Sequence, residues 1–506
     1  MRVFHKDVVI VGSGFGASPP AWRLAQAGWD VIMIEKGPAI DPYGDFKQTQ
    51  DPKYLLRYLK TLPGIDVSIN YVEGLGGGSG LYEHISLRAP SLIFEEKDSD
   101  GNQLWPNEVT RQTLDPYYEL SERTLKVKQI PEKAVPKTGQ VFSLIMKKLG
   151  FSVERSRYAV ENCMDCGRCI TGCIYGAKQS LLLNYIPSAQ EAGCQIVTDT
   201  EVIGIKPLGI SRAGLGSANI SELPFRFEVL TRSNGKEGLE ASFRAKMVVL
   251  AGGTLGTARL LLRSQDALVK ISPQLGKNVT YNGMVKCLCL LPDWCPDVDL
   301  FVGRSNPGIL SYQFLKSHNF LLTTSNVLPL QLFANYRVSD PKSKEPSFWG
   351  RDHVLLMKTL RTRILPIVAL GKGKPINRLT LADDGQLEFH CGSKAYNRKF
   401  ERKGKSILSY IIRKSGGKML NLIPINRKGM LFDDVHYTSS HPMGACKMAD
   451  SAERGVVDYR GEVFGYPGLF ITDGSVISGP LIVNPSLTIL ANSERITDLM
   501  LERFRN

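Results

Sequence analysis

The sequence predicts an α/β chain built on a Rossmann-type dinucleotide unit, and three observations carry that prediction. Residues 7–36 run strand, glycine turn, helix, strand, as DVVIVGSGFGAS, AWRLAQAGW and VIMIEKG. Glu35 closes the second strand 21 residues after Gly14. Far downstream, SFRAKMVVLAGG meets a helix at TLGTARLLLRS and reads as a meander returning to the first sheet.

Each element has a physical reason. Gly12 makes the tight turn, Gly14 lets backbone approach a pyrophosphate, and Ala17 supplies the small residue where helix meets strand. The helix N-terminus, with free N–H groups and a positive dipole end, favours phosphate there. Glu35 is placed to accept hydrogen bonds from ribose hydroxyls. Pro19 and Pro20 predict a helix that starts late or bends, because proline past the first turn removes hydrogen bonds. Glycine crowds again in GLGGGSGLY, Gly74 to Tyr82, where backbone either closes on a flat ring or phosphate or forms a flexible turn. GAKQSLLLNYIPSAQEAG reads as a helix interrupted near Pro187, followed by strands at QIVTDTEVIGI and FRFEVLTRS. Residues 286–430 have mixed periodicity and read as a substrate-facing domain. At the C-terminal end LFITDGS reads as a strand and turn, and PSLTILANSERITDLML as a helix with Pro485 at its start. Asn484, just before it, is either a helix cap or a site residue.

The run NCMDCGRCITGC places Cys163, Cys166, Cys169 and Cys173 at the C-x2-C-x2-C-x3-C spacing of bacterial ferredoxins. Thiolates on such a loop suit a 4Fe-4S iron-sulfur cluster, a tetrahedral zinc site, or no metal at all. In ferredoxins the fourth cysteine serves a second cluster and a proline follows it, whereas here Ile174 follows. A single cluster therefore needs Cys173 or a remote cysteine as its fourth ligand.

At 506 residues the chain exceeds one simple core and predicts two or three interlocked units. Its ten cysteines form no compact disulfide pattern, which favours a reducing, cytoplasmic setting or a metal role. Met1 to Lys6 runs directly into a strand, leaving no room for a secretory leader, and no apolar run reaches about 18 residues. Net charge is +14, concentrated in Lys358 to Arg378 and Arg398 to Lys428. Basic residues interleaved with Leu and Ile suit a solvated face or peripheral contact with anionic lipid headgroups. Nucleic acid is disfavoured, because no recognition motif accompanies the charge.

Together GSGFGAS with Glu35, GLGGGS, CGRCITGCIYGAKQS, VVLAGGTLGTARLLL, HPMGACKM and TDGSVISGPLIVNPSLTI resemble the glucose-methanol-choline oxidoreductases, in the branch of cholesterol-oxidase-like and long-chain alcohol oxidases. The resemblance implies an FAD-binding domain assembled from residues 1–100, 190–285 and 450–506, an insertion at 101–189 bearing the cysteines, and a substrate domain at 286–449 on an antiparallel sheet. It implies that Gly12, Gly14 and Gly16 line the pyrophosphate, Glu35 the ribose and Val202 the adenine. Gly76 and Gly77 then lie near the flavin, Asp473 and Gly474 near its ribityl and phosphate side, and Pro485 beside the cofactor. His441 falls at the active-site histidine and Asn484 at its partner; His436 is the competing histidine. Leu81 stands where some relatives attach FAD through histidine, so FAD is expected to be non-covalent, and Tyr82 stands where many carry Asn. The expected activity is oxidation of a bulky, hydrophobic alcohol, with an external electron acceptor if a cluster is present. A lyase or decarboxylase on the same fold, and a non-enzymatic flavin and thiol redox sensor, are the competing readings.

Overall fold

A computed structural model describes the chain apart from residues 1, 65–66, 99, 210–217, 234–240, 327–335, 340–350, 352–353, 355–357, 359–360, 425–436 and 506. His436, and residues 359–360 and 425–428 of the basic stretches, lie outside the described residues.

Among the described residues the first sheet has seven strands, with Arg2–Val11 between Val31–Ile34 and Ala241–Leu250, all three parallel. Val8, Val9 and Ile10 are fully buried, as expected for a strand covered on both faces. Gln195–Val197 extends one side in parallel, and Leu469–Ile471 runs parallel to Ala241–Leu250. Thr200–Pro207 and Phe227–Ser233 complete the other flank as an antiparallel meander.

The first helix, Ser18–Gln26, does not start late: Pro19 and Pro20 lie within its first turn. N–H groups there have no intrahelical partner, so proline removes no helix bond. It does remove two donors from the phosphate end, leaving that role to the amides of the glycine turn. The helix expected across 176–193 is also shorter than its sequence suggests. A 3₁₀ turn spans Leu181–Leu183 and the α-helix only Tyr185–Glu191, with Pro187 in its first turn.

Among the described residues the second sheet has eight strands and is antiparallel in every pairing. Its longest strand, Lys277–Leu290, pairs with Ile364–Lys372, Lys418–Pro424 and Pro442–Ala445. Glu154–Arg155 forms its far edge beyond Ile309–Ser311.

The basic stretches take part in this sheet. Ile364–Lys372 is a buried strand, and Lys394–Lys414 is an amphipathic helix over the sheet. Ile407, Leu408 and Ile411 are buried beneath it, and a Cβ on Gly404 would lie 2.6 Å from the Val285 side chain. The interleaved apolar residues are thus packed against protein, with Arg398, Lys399, Arg402 and Lys403 left on the exposed face. Among the described residues no helix is long and apolar enough to cross a membrane.

Candidate active site

Five distant segments meet at the mouth of the first sheet. Ser13 donates from its hydroxyl to Glu35 Oε2 at 2.6 Å and accepts from the Gly76 amide at 3.0 Å, tying the nucleotide turn to the second glycine loop. Glu35 Oε1 accepts from the Gly37 amide at 2.8 Å. A carboxylate has about four acceptor positions, and with the Gly74 amide also bonded to it one remains for a hydroxyl donor. Burial pushes the Glu35 carboxyl above its ordinary range. Val202 lies on Thr200–Pro207, whose first amide donates to the Glu35 carbonyl at 3.0 Å.

The glycines differ in what constrains them. A Cβ on Gly16 would lie 2.6 Å from the Asp473 Cα, so that glycine is required by packing. The Gly16 carbonyl accepts from the Thr472 and Ser493 hydroxyls, each at 2.7 Å. A Cβ on Gly14 meets only the Gly77 Cα, at 4.0 Å, so its face is open toward the second glycine loop. Gly76 and Gly77 both hold positive φ, at 83° and 51°.

Asp473 is buried, and both its carboxylate oxygens are occupied by protein donors. Oδ2 accepts from Thr257 at 2.5 Å, and Oδ1 from the Ser475 amide at 2.8 Å and hydroxyl at 2.6 Å. It therefore clamps helix Gly253–Arg263 to the Gly474–Val476 turn. A Cβ on Gly474 would lie 3.2 Å from the Pro442 carbonyl, which places the turn against the residue after His441.

His441 precedes Pro442–Ala445, and Asn484 precedes helix Ser486–Arg503. Asn484 Nδ2 is 3.2 Å from His441 Nε2, while the helix has Pro485 at its N-cap and no side-chain cap. The amide is thus directed at the imidazole and does not cap the helix. On its other side, His441 Nδ1 is 3.5 Å from Asn282 Nδ2. Burial pushes the imidazole down to about 4, so it is neutral and has a lone pair near neutral pH.

The four cysteines line one cavity, together with His84, Lys178 and Arg304. All four are free thiols, with Cys166 exposed and the others partly buried. Burial pushes the Cys163 and Cys169 thiols up. Among the described residues no three His, Cys, Asp or Glu side chains gather as a ligand set for a metal ion. The sequence expectation of a convergent ligand set is therefore not met in this arrangement. The loop turns through positive φ at Asn162, Asp165, Gly167 and Gly172, which orients the thiols around the cavity wall without bringing them together.

GMC oxidoreductase family models match residues 59–282 and 423–493, together more than half of the chain. The chain belongs to the GMC oxidoreductase family. A cholesterol oxidase of Acinetobacter baumannii is 25% identical over 97% of this chain and 94% of its own length. A long-chain-alcohol oxidase of Arabidopsis thaliana is 26% identical over 99% of this chain and 68% of its own. Among solved structures, a pyridoxine 4-oxidase from Mesorbium loti superposes with TM-score 0.69 at 14% identity, covering 98% of this chain and 99% of that one. A formate oxidase from Aspergillus oryzae RIB40 gives 0.68 at 15% identity, covering 99% of each chain. These likenesses establish the fold.

This GMC oxidoreductase is FAD-dependent and acts on CH–OH donors. Its crevice fits the cofactor: Gly14 presents an open backbone face, and Glu35 retains a free acceptor position. Sequence reasoning missed Ser13, Thr257 and Ser475, which hold the named residues in place, and it missed Asn282. The available signal for Asn282 was weak, because its strand also carries Asn278, Thr280 and Lys286. Asn282 Oδ1 accepts from the Ile482 amide at 2.9 Å and Nδ2 donates to the Val483 carbonyl at 2.6 Å, so it anchors the segment leading to Asn484 while touching His441. Asn282→Ala is expected to lower stability by about 1–3 kcal/mol for each backbone group left unpartnered. It should also slow flavin reduction more than it weakens FAD binding. Thermal unfolding and stopped-flow reduction measure the two effects, and a change in unfolding alone would leave Asn282 a fold residue only.

Proposed function

We propose that this GMC oxidoreductase oxidises a bulky, apolar alcohol, with His441 as the base that takes the hydroxyl proton. The observation that carries the reading is the 3.2 Å approach of Asn484 Nδ2 to His441 Nε2 beside the Gly474 turn. FAD, when bound, supplies the hydride acceptor. The hydroxyl proton passes to Nε2 as the carbon gives up its hydrogen with the bonding electrons, leaving a carbonyl product. Asn484 orients the substrate oxygen without adding a charge. The size and apolarity of the substrate rest on the cholesterol and long-chain-alcohol oxidases among the relatives. With Leu81 at the attachment position, FAD is held non-covalently.

In the same proposal Cys163, Cys166, Cys169 and Cys173, if drawn together on their loop, would hold a four-iron cluster, which would supply a one-electron path to an external acceptor. Anaerobic mixing of the holoprotein with sterols, straight-chain alcohols and short polar alcohols tests the substrate reading. Bleaching of the flavin bands by a sterol or long-chain alcohol is expected. Bleaching by none of the panel would overturn alcohol oxidation and favour a lyase or a redox sensor.

A further inference from the structure

The long strand Lys277–Leu290 presents two faces, because side chains alternate along it. Val285 and Cys287 belong to one face, and Asn282, Met284 and Lys286 to the other. The first face is covered by helix Lys394–Lys414: Gly404 sits over the Val285 side chain, and a Cβ on Gly283 would lie 2.5 Å from the Phe400 ring. The second face begins at the candidate active site, where the Asn282 amide touches His441. From there it runs past Met284 to Lys286, about 13 Å along the strand from Asn282.

This second face is closed at most of its positions and open at two. Asn282 and Leu288 are buried, as are Val368 and Leu370, which pair with Lys286 and Met284. Met284 is 41% exposed, and Lys286 is exposed as well. Desolvation nevertheless holds the Lys286 ammonium below the ordinary lysine range, so the two side chains open onto a space within the protein. Glu83, just beyond the Gly77–Gly80 turn, faces Lys286 across that space. Lys178 is the second cation near Glu83, and its three donors are all used. Its Nζ donates to the carbonyls of Gly80 at 2.6 Å, Tyr82 at 3.2 Å and Cys169 at 2.8 Å. Lys286 is the contrasting case: among the described residues its ammonium makes no hydrogen bond and no ion pair.

A desolvated ammonium with unmade hydrogen bonds is unfavourable, and an anionic acceptor brought in by a ligand relieves it. Two cations face one carboxyl group here, so the local balance also favours an added anion. Burial pushes the Glu83 carboxyl up, toward the neutral acid, which donates to a second carboxylate instead of repelling it. A molecule held at His441 reaches Lys286 past the thioether of Met284, an apolar stretch of wall. We infer that Lys286 selects alcohols bearing a carboxylate at the end remote from the reacting hydroxyl, with an apolar body between the two lying along Met284. This rests on the alcohol reading proposed above and narrows it: the body of the substrate stays apolar and its far end is acidic. Lys286 is then a specificity residue, too far along the strand to take part in proton or hydride transfer.

The test is anaerobic reduction of the flavin in FAD-loaded protein by matched substrates: ω-hydroxy fatty acids of increasing length against their methyl esters, a sterol with a side-chain carboxylate against its methyl ester, and the plain alcohols. Wild type is expected to favour the acid over the ester, with an optimum chain length set by the distance from His441 to Lys286. Lys286→Met should lower the acid-over-ester ratio of second-order rate constants about 30-fold, the effect of one hydrogen bond to a charged group. The loss should fall on substrate binding, with the limiting rate of reduction little changed, and Lys286→Arg should keep most of the preference. Wild type that reduces equally well with acids and esters, or better with esters, overturns the inference and leaves alcohol oxidation standing. Reduction by no acid, ester or plain alcohol overturns both together. An acid preference that survives intact in Lys286→Met overturns the inference alone. If Lys286→Met does not retain FAD, Met284→Glu decides, because it sets a carboxylate on the same face about 7 Å along the strand from Lys286. Loss of the acid preference there supports the inference, and an unchanged preference overturns it.

Discussion

His441→Ala is expected to retain FAD and to slow reduction of the flavin by substrate about 100-fold or more, the loss typical of removing a positioned base. The imidazole is held from two sides, by Asn484 near Nε2 and Asn282 near Nδ1, so no other described side chain shares its position between them. The pH dependence follows from its burial. His441 becomes charged only near pH 4, well below its ordinary value of 6.5, so the rate of flavin reduction should stay flat from neutral pH down to about pH 5 and fall below it. The sign for stability agrees. Between about 4 and 6.5 the unfolded chain binds this proton and the folded chain does not, so this group's effect on stability rises with pH through that window and is constant above it. Asn484→Ala should cost less, because it orients the oxygen and takes no proton. A rate in His441→Ala within a few-fold of wild type would remove the histidine from the mechanism.

The parts of this molecule legible in the sequence are those where one residue type answers one physical demand. Gly12 at positive φ, the fully buried Val8 to Ile10 strand and Glu35 at the strand end each left a local signature. Pro19 and Pro20 misled because their effect depends on where the helix begins. A shift of a few residues turns a helix breaker into a first-turn residue. Ser13, Thr257 and Ser475 were invisible for a different reason. A serine or threonine hydroxyl is common anywhere; the clamps of Ser13 on Glu35 and Thr257 on Asp473 exist only once segments more than 20 residues apart are brought together, while Ser475 bonds Asp473 locally within a turn whose partners on the far side are set by the fold. Asn282 and Lys178 were missed likewise, their partners being set by tertiary contact. The cysteine run is the opposite case: its spacing was conspicuous, yet the thiols ring a cavity without forming a ligand set for a single ion.

Gly12→Ala should lose FAD at every cofactor concentration and unfold at markedly lower temperature, whereas Gly14→Ala should fold normally and bind FAD weakly. The two glycines lie in one turn and differ in what faces them. At Gly12 φ is 98° and an added Cβ would lie 2.4 Å from the Ala251 carbonyl oxygen and 2.7 Å from its carbon. Those atoms are backbone. They are fixed because the Ala251 amide donates to Val11 at 2.8 Å and the Gly12 amide to Ile34 at 2.8 Å, so the collision cannot be relieved by rotating a side chain. The left-handed conformation adds about 1–2 kcal/mol for any residue with a Cβ. At Gly14 the added methyl group meets only the Gly77 Cα, at 4.0 Å, so apoprotein stability should be unchanged. The space it fills is the one assigned to the cofactor pyrophosphate, and FAD affinity should fall while the melting temperature of the apoprotein does not. Thermal unfolding of the apoproteins and flavin fluorescence titration separate these effects. Wild-type FAD affinity in Gly14→Ala would move the pyrophosphate away from this turn, even if Gly12→Ala behaved as expected, because the Gly12 effect arises from the strands alone.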